Sequence, residues 1–459
     1  ILFYRSLSLT VITSIPIFLT WFLTVGIMGL FHIEFNIFNI IICSFIFGLG
    51  VDYSIFITNG LLTEYRTGEK VLPTHKTSIL LSVITTIAGV GVLIFAKHPV
   101  LYTISTVSLI GILSAAFVAF TLQPLLFRLF IGSADKRPIS IRYFIHSVLS
   151  FTYFGSGGFL HSIYGVIKLK LSPQSRQKVN LGFHKSVSKL MGSVLYTNPF
   201  VSKEIRNPYN ETFEKPVMII ANHTSFLDIL AIGMLHPKII FMVNDWVYNS
   251  PVFGSAAKLA GAYPVSGGIE NGEAFLKEKV AQGFSIIAFP EGTRSTSNKI
   301  KRFHKGAFYL AQQFELDILP VLIHGNSEVL PKGSFIIRDG SITIELLPRI
   351  KAHDTQYGKN YSDRAKKLGA YFRNEFRRLR DEIEDENYWN KTLLENFRYK
   401  GDVAYKAVKQ DIETHKKTYQ LLLKRIGPKT KVVHISQDFG QLDILLALDS
   451  IDRKITVKL

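Results

Sequence analysis

Asn222-His223 and, five residues after the histidine, Asp228 bring an imidazole within reach of a carboxylate. Further along, Phe289-Pro290-Glu291-Gly292-Thr293-Arg294-Ser295 gathers a carboxylate, two hydroxyls and a guanidinium on a segment that Gly292 lets turn tightly. A histidine held at one ring nitrogen by a carboxylate can take a proton from an alcohol at the other. A guanidinium offers a two-pronged fork to phosphate. Together the segments describe a base that activates a hydroxyl beside a cradle for an anionic head group. Alone, a His-x4-Asp spacing is mostly coincidence, and Pro-Glu-Gly-Thr also makes ordinary surface turns; the reading rests on their joint presence.

These side chains need elements to hold them. Val217–Ala221 reads as a short buried strand bounded by Pro216, and Ile229–Ile232 as the helix that follows. A spacing of five is about 140° around a helix, so His223 belongs on the turn and Asp228 in the early helix. Ser285–Phe289 reads as a second strand ending at Pro290, and Leu319–Ile323 as a third. Phe183–Met191 looks helical and amphipathic. Lys299, Lys301, Arg302 and Lys305 add positive field, and the alternating charges of 362–385 suggest a solvent-facing closing helix. The expected fold class here is a mixed α/β sheet flanked by helices.

The rest of the chain has a different character. Its 459 residues are 47% hydrophobic, with mean hydropathy +0.21, yet carry 53 Lys and Arg. That mixture fits a membrane part joined to a charged part. Apolar stretches at 7–31, 36–60, 77–96 and 101–131 reach bilayer length, giving a membrane α-helical bundle. Four in series do not resemble a cleavable signal peptide. Residues 1–132 hold six Lys and Arg against four Asp and Glu, so nearly all of the +18 net charge follows the apolar part. Basic motifs interleaved with aromatics are absent, so anionic lipid rather than nucleic acid is the expected partner of that surface. Cys43 is the only cysteine; no disulfide framework, Cys-based metal site or thiol nucleophile is available. The chain begins at Ile1 and ends in what reads as a strand, and is expected to be a fragment.

Asp52 lies inside the second apolar stretch, in Phe47-Gly48-Leu49-Gly50-Val51-Asp52-Tyr53. A carboxylate at such depth costs about 3 kcal/mol unless paired or hydrated, which suggests a proton carrier, with Tyr53 beside it. The alternative is an acid near a helix end, hydrogen-bonded to Tyr53 or Ser54. Between 143 and 171, Gly155-Ser156-Gly157-Gly158 is expected to divide an apolar segment into two short pieces. Lys136, Arg137 and Arg142 flank one side; Lys168, Lys170, Arg176 and Lys178 flank the other. Equal basic flanks suggest an interfacial or re-entrant hairpin rather than a fifth span. Past Asn387–Asn390 come a helix over 402–426 and a β-α-β pattern at 431–435, 441–448 and 454–457. Only Gly440 marks the turn Ser436–Gly440, a weak nucleotide signal.

Three resemblances follow from these residues. Asn222-His223 with Asp228, Phe289–Ser295 and Leu319–Ile323, in that order, resemble the motifs of the glycerol-3-phosphate and lysophosphatidate acyltransferase family. The resemblance implies His223 as base, Asp228 as its orienting partner, and Asn222, Glu291, Gly292, Thr293, Arg294 and Ser295 around the substrate. It implies acyl-CoA or acyl carrier protein as thioester co-substrate, no tightly bound cofactor, and direct transfer. Ala262–Gly268 stands where relatives usually carry an arginine, and has none. The Asp52 stretch resembles the proton-relay helix of MMPL-type resistance-nodulation-division exporters. The tail resembles the start of a class I S-adenosylmethionine-dependent methyltransferase, whose cofactor site is incomplete here. The order resembles trifunctional bacterial fusion proteins. It implies an inner-membrane, multi-pass location, with the remaining exporter half and methyltransferase remainder as partners. Expected domains are 1–132 (four membrane helices), 133–180 (linker and hairpin), 181–385 (acyltransferase) and 386–459 (helical linker and truncated Rossmann-like start). The competing reading is a proton-coupled lipid transporter whose later domain only binds lipid.

Short-loop charges orient the bundle. Arg5, then Arg66, Lys70 and Lys76, then Lys136, Arg137 and Arg142 lie on one side; the alternate loops carry Glu34 and Lys97. Both bundle ends are expected in the cytoplasm. In a protease-protection assay on right-side-out vesicles, residues 133 onward should resist external protease; digestion there would reverse the orientation.

Overall fold

The structure, a computed structural model, describes residues 4–34, 36–132, 137–173, 175–251, 253–264, 269–296 and 299–458. The chain forms two compact units. The first comprises Ile1–Ile141 with Asn390–Lys416, the second Arg142–Trp389 with Lys417–Leu459.

In the first unit, α1 (Leu7–Leu30), α2 (Ile37–Thr67), α3 (Leu72–Gly91) and α4 (Pro99–Phe130) are the expected apolar helices. All four are long and apolar enough to cross a membrane. Ile12, Ile57, Ile112 and Ala115 pack between them. A Cβ on Gly111 would come within 2.3 Å of Ile46, so α2 and α4 approach closely there. Gln123 Nε2 donates to Thr58 Oγ1 at 2.6 Å, joining helices where water is excluded. The helices outrun their apolar windows: α2 continues to Thr67, and α3 begins at Leu72, whose N–H donates to Glu64. Helical hydrogen bonding does not need apolar side chains, only a satisfied end.

Asp52 and Tyr53 diverge. Asp52 is exposed on α2, while Tyr53 is buried and its hydroxyl has no hydrogen-bond partner. The alternative local hydrogen bond from Asp52 to Tyr53 or Ser54 is not made among the described residues. Successive residues on a helix point about 100° apart, which separates them. Residues beyond the expected boundary at 386 divide. Arg66 Nε donates to Tyr399 O at 3.0 Å and Lys400 Nζ to Tyr65 O at 2.6 Å, so the segment from Asn390 packs with the apolar helices.

The second unit contains α5 (Ile141–Leu171), α6 (Arg176–Leu195), β1 (Val201–Arg206), β2 (Val217–Ala221) and α7 (Leu227–Gly233). It continues with β3 (Ile239–Val243), α8 (Asp245–Tyr248), α9 (Gly254–Leu259), β4 (Tyr263–Pro264) and α10 (Ile269–Ala281). It closes with β5 (Ser285–Ala288), α11 (Gly306–Gln313), β6 (Asp317–His324), α12 (Asn326–Val329), β7 (Gly340–Leu346) and α13 (Tyr361–Ile383). The seven strands form one mixed sheet, ordered β1-β7-β6-β2-β5-β3-β4. Among the described strands β6 and β7 pair antiparallel and the other pairs are parallel. A strand covered on both faces must be apolar throughout, which is why Val217–Ala221 carries no polar alternation. Val217, Ile219 and Ala221 face Leu230 and Ile323; Met218 and Ile220 face Phe308, Leu368 and Phe372. Because β2 and β5 are parallel neighbours, the segments leaving their C-terminal ends emerge side by side.

The glycine cluster does not break the segment at 143–171. α5 runs through it as one helix and belongs to the second unit rather than to a linker. Gly157 and Gly158 of the cluster, and Gly165 beyond it, are packing sites instead. A Cβ on Gly157 would lie 2.8 Å from Leu190, one on Gly158 2.6 Å from Phe253, and one on Gly165 2.6 Å from Leu259. Close contact at three points offsets the roughly 1 kcal/mol that each helical glycine costs. The expected tail elements form as two parallel strands, Lys431–Ile435 and Lys454–Lys458, around the helix Gln441–Asp449. Asp449 joins them to the sheet unit through Arg380 at 2.8 Å.

His184 on α6 is buried against Phe284, their rings 4.8 Å apart. Burial, reinforced by Lys279, depresses its pKa to about 4. The unfolded chain takes up that proton near pH 6.5 and the folded one does not until about 4. Stability from this residue is therefore full above pH 6.5 and falls by about 3 kcal/mol as pH drops through that window. Thermal melting of the solubilised protein should show a smaller acid-induced drop for His184→Phe than for wild type; an equal drop would place the sensitivity elsewhere.

Candidate functional site

The strand β2 ends at Ala221, and Asn222 carries its ladder one step further with a side chain. Asn222 Oδ1 accepts from Ile323 N and Nδ2 donates to Ile323 O, both at 2.8 Å. This frees the backbone to turn, and His223 sits on that turn. Asp228 is the second residue of α7, as the spacing required. His223 Nδ1 and Asp228 Oδ2 are 2.9 Å apart. The same oxygen accepts from Thr224 N at 2.6 Å and Ser225 N at 2.8 Å. Asp228 is fully buried, while the His223 side chain keeps 15% exposure. An acceptor-only carboxylate with such donors requires the proton on Nδ1, leaving Nε2 with its lone pair. Phe289 stacks on the imidazole at a centroid distance of 4.1 Å and 19°, which holds the ring plane.

The loop after β5 is stitched to this turn. Glu291 Oε1 accepts from His223 N at 2.9 Å, and Oε2 from Lys301 N at 2.8 Å. Ser295 N donates to His223 O at 2.7 Å. Gly292 adopts φ +73°, a left-handed conformation that disfavours any side chain, and a Cβ there would meet His304 at 3.1 Å. Burial pushes the Glu291 carboxyl above its usual range, against the pull of its two backbone donors.

The site residues expected from sequence thus share one locality, but not one role. Asn222, Glu291 and Ser295 were expected at the substrate. All three are buried and their polar atoms serve the protein: Asn222 holds β6, Glu291 holds two backbone amides, and Ser295 Oγ donates to Lys299 O. Burying a polar group requires a partner, and the backbone supplies it first. Gly292, Thr293 and half-buried Arg294 stay open to solvent. Of Ala262–Gly268, residues 265–268 lie outside the described residues.

Sequence reasoning missed the segment behind the site. Asn326 Nδ2 donates to Asp228 Oδ1 at 2.7 Å, Ser225 Oγ to Leu330 O at 2.8 Å, and Lys332 Nζ to Arg294 O at 2.9 Å. One stretch after β6 therefore backs both halves of the site. Only the Gly325-Asn326 turn signal announces it, and that signal carries no chemistry.

Residues 201–324 match the family model described as Acyltransferase, so this stretch is an acyltransferase domain. The chain is 31% identical over 183 residues to a chloroplastic 1-acyl-sn-glycerol-3-phosphate acyltransferase of Brassica napus, covering 38% of this chain and 51% of that one. It is 30% identical over 169 residues to a chloroplastic relative of Arabidopsis thaliana, covering 35% and 47%. With the human 1-acyl-sn-glycerol-3-phosphate acyltransferase beta it shares 28% over 154 residues, covering 32% and 55%. The chain spans about half the length of these curated relatives. A crystal structure of the 1-acyl-sn-glycerophosphate acyltransferase from Thermotoga maritima aligns at a TM-score of 0.45 and 19% identity, over 53% of this chain and 97% of that one.

Glu291→Ala would leave the amides of His223 and Lys301 without their acceptor. We expect a loss of about 2–4 kcal/mol, read by denaturant unfolding, since each orphaned donor costs about 1–3. Unchanged stability would mean that the loop is not held this way.

Proposed function

We propose that the sheet unit transfers a fatty acyl group from a CoA or acyl-carrier-protein thioester to the hydroxyl of a lysophosphatidate-like lipid. The observation that carries this reading is the His223–Asp228 pair, with Nε2 free, on a turn hydrogen-bonded to the loop bearing Arg294. His223 Nε2 removes the acceptor's hydroxyl proton as the oxygen attacks the thioester carbonyl. The carbon–sulfur bond breaks, an ester forms, and the thiolate leaves as thiol with the proton from the imidazolium. Asp228 keeps Nδ1 protonated and steadies the transient charge. Arg294, with Gly292 and Thr293, receives the acceptor's phosphate. No acyl-enzyme is involved.

The apolar unit anchors the chain in a bilayer, with the sheet unit on the cytoplasmic side of a bacterial inner membrane. Exposed Leu149, Leu160 and Ile167 on α5 support its lying in the lipid interface. The exporter-like helices and the methyltransferase-like tail are parts of a longer fusion in this reading, in which lipid synthesis and export share one chain.

His223→Ala should lower kcat/KM at least a thousandfold without changing the far-UV circular dichroism spectrum. Retained turnover would remove His223 as the base. Arg294→Ala should raise the acceptor KM about tenfold at unchanged donor KM; an effect confined to the donor would reassign the arginine.

A further inference from the structure

We infer that Asn326 is the positioning residue of the His223–Asp228 pair, an inference that rests on the acyl-transfer reading for its kinetic arm only. The Asp228 carboxylate divides its load unequally. Oδ2 takes three donors, from His223 Nδ1, Thr224 N and Ser225 N. Oδ1 takes the amide of Asn326 alone, at 2.7 Å. Asp228 and Asn326 are both fully buried, so no solvent can replace that donor. The three donors on Oδ2 set where the carboxylate sits. The single donor on the other oxygen sets the plane in which it faces the imidazole, and draws charge away from Oδ2.

Two further observations fit a side chain selected for its donor. Asn326 Oδ1 has no hydrogen-bond partner among the described residues, so half of the amide's capacity goes unused there. Turning the amide over would set two acceptor oxygens against each other, which fixes the assignment. The residue is also held from behind. Gly325 adopts φ +86°, and a Cβ there would fall 1.8 Å from Ser341 O, so only glycine allows the chain to enter α12 at this angle. Besides Asp228, ionisable groups on the elements around His223 include Glu291, Arg294, Lys301, His304, Lys332 and, on β6 and α12, His324 and Glu328, which bond to Glu384 and Tyr388. None of them reaches Asp228 Oδ1 among the described residues.

Without the Asn326 donor, negative charge concentrates on Oδ2 and stabilises the imidazolium. The imidazole becomes harder to keep neutral and its Nε2 less well aimed. The test compares Asn326→Leu, which removes the donor at similar volume, with Asn326→Ser, whose hydroxyl can donate through a water. One readout is the pH dependence of His223 carbethoxylation by diethyl pyrocarbonate, followed by peptide mass spectrometry on the full detergent-solubilised chain. The other is kcat and KM against pH, with an acyl-CoA and lysophosphatidate.

For Asn326→Leu the carbethoxylation midpoint and the acid limb of kcat should both move up. We expect kcat to fall about tenfold to a hundredfold, with both KM values nearly unchanged because Asn326 touches no substrate. Asn326→Ser should fall between Leu and wild type. An unchanged midpoint in folded Asn326→Leu or, if that fails to fold, in Asn326→Val, which also lacks a donor, overturns the inference. So does a loss of activity that raises KM alone. If wild type shows no acyl transfer, the functional reading fails, while the carbethoxylation midpoint still decides the role of Asn326.

Discussion

A buried carboxylate is tolerable only when its charge is answered, and the sheet unit is organised around answering the one on Asp228. Four donors from three places converge on it: the His223 ring, the backbone of its own turn, and Asn326 behind. Stripped of them, an ion at zero exposure would cost several kcal/mol or protonate. Satisfied by them, it is fixed in place, and with it the His223 ring that it holds at Nδ1. The topology then follows from the need to bring those donors together. The strands β2 and β6 must be neighbours so that Asn222 can bridge to Ile323 and Gly325-Asn326 can arrive behind Asp228. The strand β5 must lie on the other side of β2 so that Glu291 can hold the His223 amide.

The site divides into residues that face outward and residues that hold them. His223, Thr293 and Arg294 keep access to solvent. Asn222, Glu291, Ser295 and Asn326 turn inward and satisfy backbone or carboxylate. Motif membership does not separate the two kinds. Asn222 and Glu291 belong to the same segments as His223 and Arg294, yet their polar atoms bond to backbone groups. A polar side chain next to a turn with open amide groups is captured by them before it can reach a ligand.

Glycine plays two opposite parts here. In α5, four residues rich in glycine look like a break, yet the helix continues, and at Gly157 and Gly158 the missing Cβ admits a neighbour. In the turns at Gly292 and Gly325 the backbone takes the left-handed conformation that other residues resist. Composition alone cannot tell these apart, since the same absent side chain permits both close packing and tight turning. The charged network that begins at the last residue of β6 has a similar ambiguity. Arg380 reaches Glu384 and Asp449, and His324 reaches Glu384, so residues that read as a solvated helix face tie the tail to the sheet.

Legible in the sequence were the four apolar helices, the strand-turn-helix around His223, the two flanking strands and the β-α-β tail. Each is a local matter: apolar length, Pro and Gly punctuation, and the angular step of a helix set them within a few residues. The His223–Asp228 pairing was also legible, because five residues across one turn leave little freedom. What tertiary structure alone decided was everything that depends on which strands become neighbours. Asn326, ninety-eight residues from Asp228, reaches it only because β6 lies beside β2. The continuity of α5, the outward turn of Asp52 and the inward turn of Ser295 were settled likewise by what each side chain meets. Sequence carries local propensity and pattern; the identity of a distant neighbour is known only once the chain has packed.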